Sequence, residues 1–305
     1  MGQNFKKIFW RVGQEITPET FIQADNYICG QQNLIRRLIA GRYFGLLPQN
    51  DTGSTSLSVK ASLNDRDVYI ENLSCKGVTK TGYIVEFENN FLPSVRKKLL
   101  TVPGAYAKAY YIVLRVNPFE QVLIEPVEDL EAPLSHSVFE FDIRELEQIG
   151  EDELSILKIT NSGGFLKIDD DYIPPGMSVD SYAKLIENYE MFKKLIADIN
   201  SYVNLKKEQY RQLIYPLRML CFELDEFPVS DTPASLIRLI KKFILSFTFF
   251  IPEIRKIDNS EMNSIYNHND VSYIFKSLIM YLQEVQTIVS KDEKVVVEED
   301  FTPKI

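Results

Sequence analysis

Cysteine and histidine are both scarce in this chain. Cys29, Cys75 and Cys221 stand far apart, with no CxxC pair. That spacing excludes a disulfide framework and points to a reducing compartment. Only His136 and His268 are present, each among turn residues and neither with a second histidine at metal-ligand spacing. Metal and nucleophilic chemistries therefore have few ligands or bases to draw on, and each histidine reads as a surface or capping residue. Long apolar runs are missing as well. The nearest, Phe243–Ile251 behind Lys241 and Lys242, is far short of the ~18–20 residues needed to span a bilayer. Basic charge is not in excess: 34 Lys and Arg face 43 Asp and Glu, a net charge of −9. Phosphate neutralisation needs a basic face, so the overall balance argues against a nucleic-acid partner. No apolar run follows Lys6 and Lys7, so the N-terminus does not read as a secretory signal. No GxGxxG, zinc-protease motif, nucleophile elbow or internal repeat occurs.

What is present is ordinary globular material. Hydrophobic residues make up 45% and charged residues 25% of 305 positions, enough for about two domains. Phe9, Trp10 and Val12 suggest a brief strand. Thr17-Pro18-Glu19 then opens a helix to about Gly41, with Thr as cap, Pro at the first helical position and an acid in the first turn. Along it Phe21, Ala24, Ile28, Gln31, Ile35, Leu38 and Ile39 share one mostly apolar side, and Gln23, Asn26, Gln32, Asn33 and Arg36 the other.

From about 42 to 178 the pattern changes to short runs punctuated by turns. The runs are Ser56–Leu63, Asp67–Ile70, Gly82–Phe87, Ala109–Val116, Gln121–Pro126, Ser137–Ile143 and Leu154–Thr160. Breakers such as Asp51-Thr52-Gly53, Asn117-Pro118, Glu131-Ala132-Pro133 and Gly163-Gly164 separate them. Short strands with regular turns predict a β-sandwich or barrel, not a doubly wound parallel sheet. Pro174-Pro175-Gly176 stops both strand and helix, so a domain boundary is placed at 178. Beyond it the chain reads as helical. Tyr182, Leu185, Tyr189, Phe192, Ile196, Ile199 and Val203 alternate spacings of three and four, the seam of a bundle or coiled-coil helix. The pattern resumes at Tyr210–Leu220 with a kink or break at Pro216. It starts again at Thr232-Pro233, and once more near Asn269 or Asp270. The fold class is thus α+β: an opening helix, a β-sandwich over 1–178, an all-α bundle over 179–290, and a flexible tail over 291–305.

Candidate chemistry is thin. Gly77–Gly82 has the glycine spacing of a phosphate-binding loop, but Tyr83 and Ile84 replace the Lys and Ser/Thr, so it reads as a hairpin turn. Asp169-Asp170-Asp171 reads as a solvated turn, since consecutive carboxylates rarely converge on one cation. Glu140, Asp142, Glu145 and Glu147 lie along a probable strand and read as one exposed face. Cys75 beside Lys76 lacks a histidine base. The amphipathic stretch Leu236–Ile251, with Arg238, Lys241 and Lys242, suits a core helix or a membrane surface. Tyr106, Tyr110 and Tyr111 suit a sandwich core or a partner contact. No catalytic residue, cofactor site or metal site is assigned. What remains is assembly, with the seam from Tyr182 to Val203 as the surface that joins copies.

Two segments carry a resemblance. Trp10, Gly13, Pro18, Phe21, Asp25 and Tyr27 form an opening similar to that of the TssK family of type VI secretion baseplate subunits. Tyr172, Ile173, Pro174 and Pro175 are similar to that family's junction between its β domain and its helices. Order and separation also fit. The resemblance implies a non-enzymatic homotrimer whose sandwich "shoulder" docks on a TssF/TssG-like baseplate wedge and whose helical stalk trimerises. It implies a cytoplasmic location, at a baseplate associated with the inner membrane. A C-terminal head reaching the membrane complex would need far more than the fifteen residues after Ser290. The expectation is either a piece of a longer protein or a short form with an indirect or divergent membrane link. A phage-tail or contractile-injection receptor-binding adaptor is the alternative, and a small hydrolase-type enzyme the remote one.

Overall fold

Alternating runs in the middle of the chain become strands in a computed structural model, nine of them among the described residues. It describes residues 6–40, 43–48, 55–89, 100–103, 108–123, 135–256 and 266–291. Strands β1 (Gly45–Leu46), β2 (Leu57–Asn64), β4 (Ile84–Phe87) and β5 (Leu100–Thr101) all pair antiparallel with the long β3 (Asp67–Val78). A second antiparallel sheet has the order β7-β6-β8-β9, from β6 (Ala109–Leu123), β7 (Ser135–Arg144), β8 (Glu153–Ser162) and β9 (Phe165–Ile168). Leu57, Leu73, Cys75, Val85 and Phe87 of the first sheet meet Tyr110, Ile112, Leu114, Phe141, Leu154 and Ile159 of the second in one core. Fully burying each such side chain contributes about 1.5–3 kcal/mol. Strand β6 is buried on both faces: Tyr111 and Val113 pack with Tyr172 on the side away from that core. Its near-continuous apolar run, Tyr110–Leu114, has this cause.

Asn117-Pro118, read as a breaker, lies inside β6. The register slips there, from Asn117 opposite Val138 to Gln121 opposite Ser137. A bulge accommodates a proline that has no N–H to donate to the ladder. The brief strand expected at Phe9–Val12 does not form. That stretch holds a turn, with Gly13 at φ +79° and the Gln14 N–H donating to the Arg11 carbonyl at 3.2 Å.

The described helices are α1 (Pro18–Ala40), α2 (Ala183–Leu205), α3 (Arg211–Asp225), α4 (Pro233–Phe250) and α5 (Ser272–Ser290). Of the kink or break expected at Pro216, a break does not occur there, since α3 runs through it; the chain leaves helix at 206–210. Pro216 sits in the second turn of α3, where its missing N–H removes a single helical hydrogen bond. Among the described residues no helix is long and apolar enough to cross a membrane. Tyr106, the turns at Asp51-Thr52-Gly53 and Glu131-Ala132-Pro133, and residues 292–305 of the tail lie outside the described residues.

The chain divides into two compact units. The first is Met1–Glu187 with Pro228–Ala234 and Tyr266–Tyr273; the second is Asn188–Phe227, Ser235–Ile265 and Ile274–Ile305. In the second unit Leu213, Leu217, Leu220 and Leu224 of α3 are buried, as are Leu236, Ile240, Phe243 and Phe247 of α4. So are Ile274, Leu278, Leu282 and Val285 of α5. Every set keeps the three–four spacing that lines up one helix face.

Candidate assembly site

The first helix begins as its sequence dictates. Pro18 is the first helical residue, and the Thr17 carbonyl accepts from the N–H groups of Thr20 and Phe21 at 3.0 and 3.3 Å. The Thr17 side chain also holds the Glu19 carboxyl below its usual range. What the sequence does not dictate is which way the helix faces. The side turned to the first unit is the polar one: Asn26, Cys29, Gly30 and Arg36 are half-buried and Asn33 is buried. The Arg36 guanidinium donates to Asn33 Oδ1 at 2.9 Å and to Gln32 Oε1 at 3.0 Å, so this flank is internally satisfied. The point of closest approach is Gly82. It sits at φ +86°, and a Cβ there would lie 2.6 Å from the Asn33 carbonyl oxygen. Two polar clefts flank the contact, of about 570 and 730 Å³, and they contain Arg36 with His136 and Arg37 with Asp152 respectively. The apolar side is left outward. Phe21, Ile28 and Ile35 are more than half exposed, and Leu38 and Ile39 are 74% and 82% exposed.

The remaining residues of the first motif lie around this helix. Trp10 is 51% exposed, Gly13 has open space about it, Asp25 is exposed and Tyr27 is half-buried. The second motif is buried throughout, from Tyr172 to Gly176. It is a fixed crossing of backbones. The Leu46 N–H donates to the Pro175 carbonyl at 2.8 Å, and the Met177 N–H to the Leu46 carbonyl at 2.9 Å. Gly45, at φ +122°, is required because a Cβ would overlap the Pro175 carbonyl at 2.2 Å. The Tyr172 hydroxyl lies 2.8 Å from Ser155 Oγ and 3.0 Å from the Asn269 carbonyl oxygen. Burial pushes its pKa well up, so it stays a neutral donor. Next to it, Asp270 Oδ2 accepts from the Tyr111 hydroxyl and from Lys158 Nζ, both at 2.7 Å, with Asp169 3.6 Å from the same lysine. Removing one partner from a pair this buried leaves an uncompensated charge. His268 completes the set: one ring nitrogen is 2.6 Å from the Phe44 carbonyl oxygen, the other faces the Tyr266 hydroxyl, and burial lowers its pKa. These contacts hold residues 266–273 to residues 43–46, 111 and 155–173 of the same unit. Sequence reasoning found Tyr172 through the motif. It named His268 only as a surface or capping residue and Asp270 only as a helix start, and it missed Lys158 and these pairings, because partners separated by 112 to 224 positions leave no local pattern.

The seam residues also have their places. Leu185, Tyr189, Phe192, Ile196, Ile199 and Val203 are buried within the single chain, and Tyr182 packs on the core of the first unit. Phe192 stacks on Phe275 of α5 at 5.7 Å between ring centroids, and the Tyr189 hydroxyl donates to the Leu224 carbonyl of α3 at 3.2 Å. The copy-to-copy contact expected along this seam is, for these side chains, already made by the chain's own helices.

The residues considered for chemistry do not converge. Gly77–Gly82 turns β3 into β4, with the Gly82 N–H donating to the Thr79 carbonyl at 2.9 Å. Asp169–Asp171 is a turn closed by the Asp171 N–H on Asp169 Oδ1 at 3.1 Å. Glu140 and Asp142 share the exposed face of β7, near Arg115 at 3.9 Å and Arg144 at 2.8 Å. The Cys75 thiol is buried and pushed up to about 12, the reverse of what a nucleophile needs. Among the described residues no three of His, Cys, Asp and Glu are grouped to hold a metal.

No protein-family model matches this chain, and no curated protein does. Several solved structures match it. A crystal structure of TssK is similar at a TM-score of 0.66 and 14% identity, over 95% of this chain and 71% of that one. A chain of the type VI secretion TssK-TssF-TssG baseplate subcomplex, solved by cryo-electron microscopy, is similar at 0.56 and 13%, over 94% and 100%. A chain of the baseplate complex from the type VI secretion system is similar at 0.59 and 14%, over 93% and 100%. At such identity the likeness is one of fold: α+β, with two antiparallel sheets and α-helices, similar to TssK.

Proposed function

We propose that this chain is a non-enzymatic, structural subunit of a type VI secretion baseplate, of the TssK kind. The observation that carries the reading is the fold shared over nearly the whole chain with TssK and with a chain of a TssK-TssF-TssG baseplate subcomplex. In this reading the two sheets form a sandwich shoulder over 1–178 that grips TssF/TssG-like wedge proteins. The helices over 179–290 form a stalk bundle, and the working unit is a homotrimer on the cytoplasmic side of the inner membrane. Trp10, Gly13, Pro18, Phe21, Asp25 and Tyr27 shape and present the first helix. Tyr172, Ile173, Pro174 and Pro175 fix the exit from the shoulder. The link toward the membrane anchor is indirect or made by a divergent contact. The buried Cys75 thiol, pushed up to about 12, is almost wholly un-ionised at neutral pH and so is no nucleophile.

The test is co-expression of the tagged chain with the TssF- and TssG-like proteins of its own genome. A stable complex retained through affinity and size-exclusion steps is expected. Wedge proteins that assemble with each other while this chain elutes alone would overturn the reading.

A further inference from the structure

We propose that the outer sides of α3 and α4 form a docking face for the surface of a lipid bilayer with anionic headgroups. The proposal stands on the second unit alone and does not depend on the baseplate reading. By its sequence, Leu236–Ile251 suits a core helix or a membrane surface. The structure divides its residues between two rows. Leu236, Ile240, Phe243, Ile244 and Phe247 are buried, so the most apolar side of α4 is spent on the core. Arg238, Lys242, Leu245 and Phe249 keep the same three–four spacing on the outside. Core packing accounts for the first row and not for the second.

The neighbouring helix carries a matching row. Along α3, Arg211, Tyr215, Arg218 and Phe222 are all exposed, with Met219 beside them. Glu223 of α3 and Lys242 of α4 pair at 2.6 Å, which sets the two outer sides next to each other. The connection 226–232 turns the chain back. Moving away from it by a turn at a time, Met219 comes about level with Leu245, and Tyr215 with Phe249. These side chains project: Tyr215 is 73%, Phe222 63%, Leu245 67% and Phe249 69% exposed. Single exposed apolar residues need no explanation, but a group of them on two adjoining helices does.

Charge names the occupant. Helices α3 and α4 together hold five cations, Arg211, Arg218, Arg238, Lys241 and Lys242, against two acids, Glu223 and Asp225. The whole chain has the opposite balance, 34 basic to 43 acidic residues. Among the described residues only Lys242 of the five is in an ion pair. At physiological salt the Debye length is about 8 Å, so acids elsewhere on the chain do not cancel this local sign. Projecting aromatic and aliphatic side chains interleaved with cations are what an interfacial helix presents. The apolar groups enter the boundary between headgroups and acyl chains, and the cations meet lipid phosphates. A partner helix would instead need a groove that encloses its anchors, and side chains this far exposed form a crest. Among the described residues no helix is long and apolar enough to cross a membrane, so the contact is with one surface.

The test is flotation of the full chain with vesicles of phosphatidylglycerol and phosphatidylcholine in equal parts, beside vesicles of phosphatidylcholine alone. The natural chain is expected to float with the anionic vesicles and to stay behind with the neutral ones. Leu245→Ser/Phe249→Ser and Arg218→Gln/Arg238→Gln are each expected to lower the partition coefficient by more than about tenfold. All four positions are exposed, so circular dichroism and melting temperature should match those of the parent. Leu245→Glu, which keeps the Phe249–Phe250 ring contact at 4.9 Å, is the second apolar variant if the double one melts early. A natural chain that does not float overturns the proposal, and so does flotation that the variants retain in full. Equal binding to neutral vesicles overturns it too, since the cations would then have no part. If the natural chain stays in solution while the apolar variants change the light-scattering mass or lose a TssF- or TssG-like protein, the face serves a protein contact and the proposal fails. The baseplate reading is decided separately, by co-purification of the natural chain.

Discussion

At the residue scale the consequential positions are the ones without chemistry. Gly82 is needed twice over, for its left-handed backbone and for the 2.6 Å approach to Asn33. Gly82→Val should cost about 1–3 kcal/mol, as overpacked sites do. Because the strain falls on the α1 contact, hydrogen exchange should rise in α1 while the β6 and β8 amides stay protected. Equal loss of protection in the sheets would contradict the assignment. His268 gives a signed pH dependence. Burial holds its folded pKa below the usual 6.5, so the unfolded chain takes up a proton before the folded one does. Its contribution to stability is complete above about pH 6.5 and is lost as pH falls through the lowered folded value. Urea midpoints measured between pH 7.5 and 5.5 should decline with falling pH, and His268→Gln should flatten that decline. A variant with an undiminished slope would place the titration elsewhere.

At the element scale, the same three–four spacing has two different outcomes. In α2 it marks a row closed against α3 and α5, where Phe192 stacks on Phe275. In α1 it marks a row left open. The distinction has a measurable consequence. Phe192→Ala should cost about 3–5 kcal/mol in the isolated chain, as buried aromatics do, with no dependence on protein concentration. Destabilisation that fades on dilution would mean the row is completed by a second copy. Element types were largely readable from the residues: cap and proline at Thr17-Pro18, strands flanked by turns, and a stop at Pro174-Pro175. Two expectations failed where tertiary context overrode local signals. Pro118 is absorbed by a bulge in β6 because strand β7 can slip its register. Phe9–Val12 has strand-forming residues but forms no ladder to satisfy its backbone.

At the scale of the whole molecule, the fold is similar to that of TssK. The clamp among Tyr111, Lys158, Asp270 and Tyr172 matters here because it is what holds residues 266–273 in the first unit.

The residues alone determined the type of most elements, the helix starts at Thr17-Pro18 and Thr232-Pro233, that the β region precedes the helices, and that histidine and cysteine are few and scattered. They did so because capping, turn formation and side-chain period act within a few positions of the chain. Only the tertiary structure decided which rows of apolar residues are already occupied, because a period defines a stripe without naming what covers it. It also decided that Lys158 meets Asp270 and that His268 meets Phe44, since such pairs form only when distant segments are brought together.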